Sequence, residues 1–284
     1  VGSEMCIRDR SMNSKLSLST KLSQSGKTQL AEYFATPPFK VITLPSYDDA
    51  WVNGLNAMQM SSSPGVLAGD VLEIDISLAK LTALSLNTQA FTRVQAMNEG
   101  ESAMQTTHIS LAENSRLFYL PHPLVLHKDS VFKQQTQIEM GEQSELIYGE
   151  IVAIGRVLND ERFAFRQFSS HLKIYALQND GKKQPLVSDC IQWLPSKMNL
   201  TAISQMENYS HQGSLTYLNL AKNNAEIKQQ VQALQQQNAE EKDLLIGISQ
   251  LNESGLMVRV LGCRAEQIQK LFEKIGKQLR LRVL

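Results

Sequence analysis

Val71-Leu72-Glu73-Ile74-Asp75-Ile76-Ser77-Leu78 alternates side chains without a break. Leu72, Ile74, Ile76 and Leu78 share one face and Val71, Glu73, Asp75 and Ser77 the other, because successive strand residues point to opposite sides. The octet predicts a strand buried on one face and wet on the other. The same period extends outward from it. Phe132, Gln134, Thr136, Ile138 and Met140 share a face, and Arg162 to Phe165 and Leu172 to Leu177 continue the pattern. Leu84-Ser85-Leu86, His108 to Leu111 and Leu186-Val187-Ser188 are shorter pieces. Pro64-Gly65, Asn98-Glu99-Gly100, Gly141-Glu142 and Asn179-Asp180-Gly181 punctuate the runs as turns, and the last reads as a hairpin. The intervals are too short for repeated crossover helices. The reading is a mainly β chain of stacked, largely antiparallel β-sheet layers. No internal repeat is visible.

The pattern changes after residue 218. Asn223 to Glu241 is rich in Gln, Ala and Glu, with Ile227, Val231 and Leu234 at helical spacing. Asn223 followed by Glu226 has the spacing of a capping box. Two strand-like runs follow, Leu245 to Leu251 and Leu256 to Leu261. Ile268, Leu271, Phe272, Ile275 and Leu279 then make one helical stripe, with Lys270, Lys274, Lys277 and Arg280 toward its C-terminal half. Two α-helices are expected in the C-terminal third. The chain reads as a single domain over 12–284, with a β body from about 20 to 217 and an α/β part from about 218 to 284. Val1 to Ser11 show no periodicity, precede Met12 and resemble translated adapter sequence, so they are set aside as non-native.

Composition bounds the function. Hydrophobic residues are 42% and charged residues 20% of 284, which suits a globular chain with a sizeable core. Lys plus Arg and Asp plus Glu are 28 each, so no broad field recruits nucleic acid or an anionic membrane. Cys6, Cys190 and Cys263 form no C-x-x-C pair, and an odd, sparse count suits a reducing cytoplasm. No apolar run approaches the roughly 20 residues of a membrane helix.

Motifs for catalysis are missing. Ser25-Gly26-Lys27-Thr28 ends like a phosphate-binding loop, but position 21 is Lys and Asn13 to Ser23 is mostly polar, so an ordinary turn is the better reading. There is no G-x-S-x-G and no H-E-x-x-H. His122 and His127 share one Pro-containing loop and could converge on a metal, though surface histidines are the plainer reading. The acids stand out more. Asp70 precedes the alternating strand, Glu145 and Glu150 sit in or beside the most apolar stretch, and Glu161 follows a turn. A carboxylate in an apolar strand is costly unless paired or ligating. Arg156 is a natural partner for Glu150, and an ion pair is as good a reading as a functional site.

A series of short motifs resembles the UreD/UreH family of urease accessory proteins, in order from about residue 20 to 284. Pro37-Pro38-Phe39-Lys40 resembles its P-P-x-K/R, and Pro64-Gly65-Val66-Leu67-Ala68-Gly69-Asp70 its G-G-x-x-G-G-D turn. Asn87-Thr88-Gln89-Ala90-Phe91-Thr92-Arg93-Val94 resembles T-T-Q-A-x-x-K-V, and Leu120-Pro121-His122-Pro123 resembles L-P-D-P. Gly155-Arg156 with Glu161 to Phe165 resembles G-R-x-x-x-G-E-x-F-x-F, and Gly255 to Gly262 the closing strand. The departures are His122 for the usual acid, Asn159-Asp160 for Arg-Gly, Pro64 and Ala68 for glycines, and Arg93 for lysine.

The resemblance implies stacked β-sheet with two helices and a cytoplasmic, non-enzymatic role in urease maturation. It implies binding to apo-urease and to a UreF-type helical partner, which recruits a UreG-type GTPase that delivers nickel. It implies no tightly bound cofactor but a transient nickel path, for which Asp70, Glu150, Glu161 and His122 are the candidates. Thr88, Gln89, Arg93 and Arg156 are the candidate partner contacts. Nickel accepts carboxylate, imidazole and water. A generic β-sheet protein- or carbohydrate-binding module is the alternative. Only 6% of residues are aromatic, which weighs against it. A hydrolase would need a nucleophile and base, and no pair stands out.

Overall fold

The computed structural model describes residues 11–45, 53–178, 180–239, 241 and 243–280. The segment set aside at the N-terminus, apart from Ser11, lies outside the described residues.

The chain opens with β1 (Asn13–Leu22), β2 (Thr28–Ala35), β3 (Phe39–Leu44) and β4 (Leu55–Ser61). Then it coils: β5 (Val71–Leu78), β6 (Ala83–Gln89), β7 (Thr92–Val94), β8 (Ala103–Leu111), β9 (Arg116–Leu120), β10 (Leu124–Leu126), β11 (Val131–Met140), β12 (Glu145–Ala153) and β13 (Gln167–Leu177). It closes with β14 (Lys183–Trp193), β15 (His211–Asn219), α1 (Asn224–Gln237), β16 (Leu244–Asn252), β17 (Gly255–Gly262) and α2 (Ala265–Arg280).

Successive long strands of the coil alternate between two stacked sheets. One sheet runs β14-β13-β11-β8-β5-β1-β2, the other β16-β17-β15-β12-β9-β6-β4-β3, with β7 and β10 as a short third wall beside β12. This corrects the expectation of largely antiparallel layers. The pairs β1·β5, β5·β8, β8·β11 and β11·β13 are parallel, as are β4·β6, β6·β9 and β9·β12. The antiparallel pairs lie mainly toward the sheet ends. A parallel neighbour needs a crossover, and here a strand of the facing sheet supplies it in place of a helix. The result is a β-solenoid-like coil that repeats in geometry though not in sequence.

What does repeat is a turn. After β5, β8 and β11, the residues Leu81, Asn114 and Gln143 take left-handed φ of 62°, 56° and 54°. The following hydroxyl donates back to the carbonyl three residues earlier: Thr82 to Ala79, Ser115 to Ala112 and Ser144 to Gly141, each at 2.7 Å. All three hydroxyl residues are fully buried. The turns also bond to one another through the backbone, Ala112 N to Leu78 O and Gly141 N to Leu111 O.

The inward faces of both sheets make one core, with Leu16, Ile74, Ile76, Ile109 and Ile138 against Leu84, Leu86, Leu117 and Leu146. The second sheet is covered on its other face as well. There Phe118, Ile147, Ile151, Leu215 and Val258 meet Ile227, Val231 and Leu234 of α1 and the whole predicted stripe of α2. Hence β12 is buried on both faces, which is why it is the most apolar stretch. Gly213 lets α2 approach closely, since a Cβ there would lie 2.6 Å from Ile268 Cγ2. The capping box of α1 is formed as its spacing predicts: Asn223 Oδ1 accepts from the amides of Ala225 and Glu226, and Glu226 Oε2 accepts from Asn223 N.

Two local expectations change. Asn13–Leu22 is a strand despite its polarity, because Ser14, Leu16, Leu18 and Thr20 alternate inward. Thr28 then starts an antiparallel strand rather than a helix, as the turn reading of Ser25–Thr28 requires. Arg162 to Phe165 is irregular, not a strand, with Phe163 at φ 53°. Arg162 instead donates to the carbonyls of Glu207, Asn208 and Tyr209. The β13–β14 hairpin forms, with Gly181 N bonded to Gln178 O; Asn179 lies outside the described residues. No helix among the described residues is long and apolar enough to cross a membrane.

Candidate functional site

Between the core cluster of Ile74 and Leu86 and a second cluster around Phe132, Val152, Phe168 and Trp193 lies a layer in which inward positions are polar. The strand register places it. In the second sheet Gln59 pairs with Thr88, and Glu150 pairs with Ser214. In the first sheet Gln105 pairs with Gln134, and Gln134 with Ser170. Side chains at paired positions share a face, so these residues face one another across the sandwich.

Glu150 is the centre of the layer. Its Oε1 accepts from Tyr148 Oη at 2.7 Å and from Gln134 Nε2 at 3.0 Å, and its Oε2 accepts from Ser170 Oγ at 3.2 Å. Gln134 Nε2 also donates to Ser170 Oγ at 2.9 Å. The Tyr148 proton is spent on Glu150, so the Thr136 hydroxyl, 3.3 Å away, donates to Tyr148. Burial pushes the Glu150 carboxyl above its usual range; the Tyr148 and Ser170 bonds oppose this, and the nearby Asp189 charge adds to it. Burial, then the Glu150 charge, push the Tyr148 phenol well up. Among the described residues Glu150 forms no ion pair, and its three hydrogen-bond donors are all neutral. The expected partner, Arg156, lies beyond Gly155 and pairs with Glu161 instead. The reason is direction: Glu150 faces the sandwich interior, whereas the chain leaves β12 at Ala153 before Arg156 is reached.

A cavity of about 60 Å³ opens on this carboxylate, lined by Gln59, Thr88, Gln105, His122, Gln134 and Glu150 among others. It has room for an ion or a few waters. A second cavity, of about 220 Å³, is lined by Asp70, Thr88, Gln89, Phe91 and Arg93. Gln59, Thr88, Thr92 and Gln105 line both, so the two adjoin. The peptide bonds Pro37–Pro38 and Gln89–Ala90 beside the second cavity are cis.

The sequence candidates therefore fall into two groups. Asp70, Thr88, Gln89, Arg93, His122 and Glu150 line the joined cavities. Asp70 is buried and braces the wall: Oδ1 accepts from Met12 N at 2.9 Å and Oδ2 from Leu67 N at 2.8 Å. Thr88 is buried too, and its Oγ1 accepts from His122 N at 2.7 Å. Glu161 and Arg156 form the other group, a two-pronged pair at the surface in which Glu161 Oε2 also accepts from Lys128 N. The Arg156 bond holds the Glu161 carboxyl below the usual range. Gly155, at φ 143°, is forced there, because any Cβ would strike the Glu161 carbonyl.

His122 and His127 stand at opposite ends of β10, which separates them. His127 is buried near Arg156 and Glu161, and burial, then the Arg156 charge, lower its pKa. Among the described residues no three His, Cys, Asp or Glu side chains gather to hold a metal ion. The residues missed by sequence reading are Gln59, Gln105, Tyr148 and Ser170. A signal existed: Gln134 and Thr136 interrupt an otherwise apolar inward face.

A family model described as UreD urease accessory protein matches residues 12–284. The chain is 94% identical over 269 residues to the urease accessory protein UreD of Haemophilus influenzae strain PittEE, covering 95% of this chain and 99% of that protein. The protein of the same name from Haemophilus influenzae strain KW20 / Rd is 96% identical over 255 residues, covering 90% and 98%. That of Actinobacillus pleuropneumoniae serotype 5b strain L20 is 72% identical over 269 residues, covering 95% and 98%. The chain belongs to the UreD family of urease accessory proteins.

Proposed function

We propose that this chain is a non-catalytic cytoplasmic maturation scaffold that binds apo-urease and a UreF-type partner. Through that partner it engages a UreG-type GTPase, and it guides nickel toward the urease active site. Nickel is cargo here, not a resident cofactor. The observation that carries the reading is the Glu150 carboxylate, held by neutral donors at the floor of joined polar cavities inside an apolar sandwich. A buried acid without a cation is expensive, and such arrangements persist where they serve a function. The surroundings are oxygen and amide donors with one imidazole, His122, a set that suits a borderline divalent ion binding weakly. Asp70 lends negative charge to the wider cavity, while Gln89, Phe91 and Arg93 are exposed beside it and available to a partner. Arg156 and Glu161 offer a second contact point.

The test is a urease operon lacking its own copy of this gene, with the chain supplied in trans. Urease should gain nickel only when the chain is present, and Glu150→Gln should lower that nickel content while the chain still co-purifies with the UreF-type partner. Full nickel loading without the chain sinks the scaffold reading. Full loading by Glu150→Gln sinks the interior path.

A further inference from the structure

The polar layer does not stop at Glu150. In the second sheet the row continues by register from Glu150 to Ser214, from Ser214 to Arg259, and from Arg259 to Gly247. These positions lie one strand spacing apart and share the inward face. Ser214 is buried. In the first sheet the facing strand is β14, where Val187 joins one apolar cluster and Trp193 the other. Asp189 and Ile191 stand between them on the same inward face. Ile191 pairs with Ser170 and Asp189 with Leu172, one inward position away, and the Asp189 charge adds to the effect of burial at Glu150.

Arg259 and Asp189 meet across the gap between the sheets, Nη2 to Oδ1 at 2.7 Å. Their side chains keep 46% and 20% of their exposure, so the pair sits at the rim of the interior. Beyond it is a cavity of about 530 Å³, lined by Arg259, Gly247, Gln212, Ile191 and Trp193. Gly247 leaves the rim open, since a Cβ there would meet only the Arg259 carbonyl at 4.0 Å.

We infer that the Arg259–Asp189 ion pair is a latch across a second mouth of the polar layer, opposite the Asp70 cavity, and that it controls the passage of a divalent cation. This inference rests on the reading of the layer as a cation path. While latched, the guanidinium puts a positive charge in the way and occupies the Asp189 carboxylate. When Arg259 swings into solvent, the barrier leaves and Asp189 becomes the next carboxylate after Glu150. The pair is exposed enough for such exchange to be cheap.

The experiment uses the purified full chain loaded with Ni²⁺ alone, then mixed with excess chromogenic chelator to follow release. Arg259→Met should speed release about fivefold, which is ~1 kcal/mol at 25 °C, the scale of a part-exposed ion pair. The reversed pair, Asp189→Arg with Arg259→Asp, should restore slow release. Should Arg259→Met fail to fold, Arg259→Gln carries the same test, because it removes the positive charge and releases the Asp189 carboxylate while keeping a polar side chain, and it too should speed release. Unchanged release in these variants, with loading still lost in Glu150→Gln, overturns the latch and leaves the path standing. Equal loading of Glu150→Gln and the parent, or no loading of the parent, overturns the path and the latch with it.

Discussion

Glu150→Gln should make the protein more stable at neutral pH while making it worse at its task. The amide is the same size and keeps the geometry: its oxygen accepts from Tyr148 and Gln134, and its NH₂ donates to Ser170 Oγ once that hydroxyl turns to accept. What disappears is a buried negative charge. Replacing a buried charge by a neutral isostere is often stabilising, and a gain on the order of 1 kcal/mol is expected here. In a chain of this size that is a melting shift of roughly 2 °C. The pH dependence has a definite sign. Burial raises the folded pKa above the ordinary glutamate value of 4.5, so the folded state binds the proton more tightly than the unfolded chain. Below 4.5 both states are protonated and the penalty is absent. As pH rises through 4.5 the unfolded chain ionises first, and native stability falls until the raised folded pKa is passed. Urea unfolding at pH 4 and pH 7.5 reads this directly. The variant should gain on the parent at pH 7.5 and lose that advantage at pH 4. A variant less stable than the parent at pH 7.5, or a gap equal at both pH values, would refute the reasoning.

Two further outcomes concern the frame. Ser115→Ala should cost about 1 kcal/mol, since the Ala112 carbonyl keeps its bond from Ser115 N at 3.1 Å and loses only the hydroxyl. Adding Ser144→Ala should give a non-additive loss because the turns bond to each other, and strict additivity in urea midpoints would argue against a coupled ladder. Gly213→Ala should cost about 1–3 kcal/mol by driving a methyl into Ile268 and Phe272, and a calorimetric melt unchanged from the parent would show that α2 has room to shift.

Local signals were legible in the sequence and non-local ones were not. The period-two octet at β5, the capping box at Asn223 and the stripe of α2 depend on neighbours within a few residues, and all three stand as read. Strand direction depends on which strand lies alongside, and short spacing excluded helices without revealing that the facing sheet could serve as the crossover. The surroundings of Glu150 were hidden for the same reason. Its acid was visible in an apolar run, but Gln134 and Ser170 reach it from other strands, and Arg156, close in sequence, points elsewhere. The repeated turn escaped detection because Thr82, Ser115 and Ser144 share only a hydroxyl, and Leu81, Asn114 and Gln143 share only a backbone angle.

The coil turns strand number into a ruler. The inward row from β4 to β17 crosses five strand-to-strand steps, through β6, β9, β12 and β15. At about 4.8 Å per step it spans roughly 24 Å. Its length is set by how many strands are stacked, not by the length of any one of them. Loops at the rims can grow or shrink without altering it, whereas losing one coil would shorten it by a full step and shift every polar side chain out of line with its neighbour. Evolution can therefore vary the edges of this protein freely, while the distance between its two ends is held in whole-strand units.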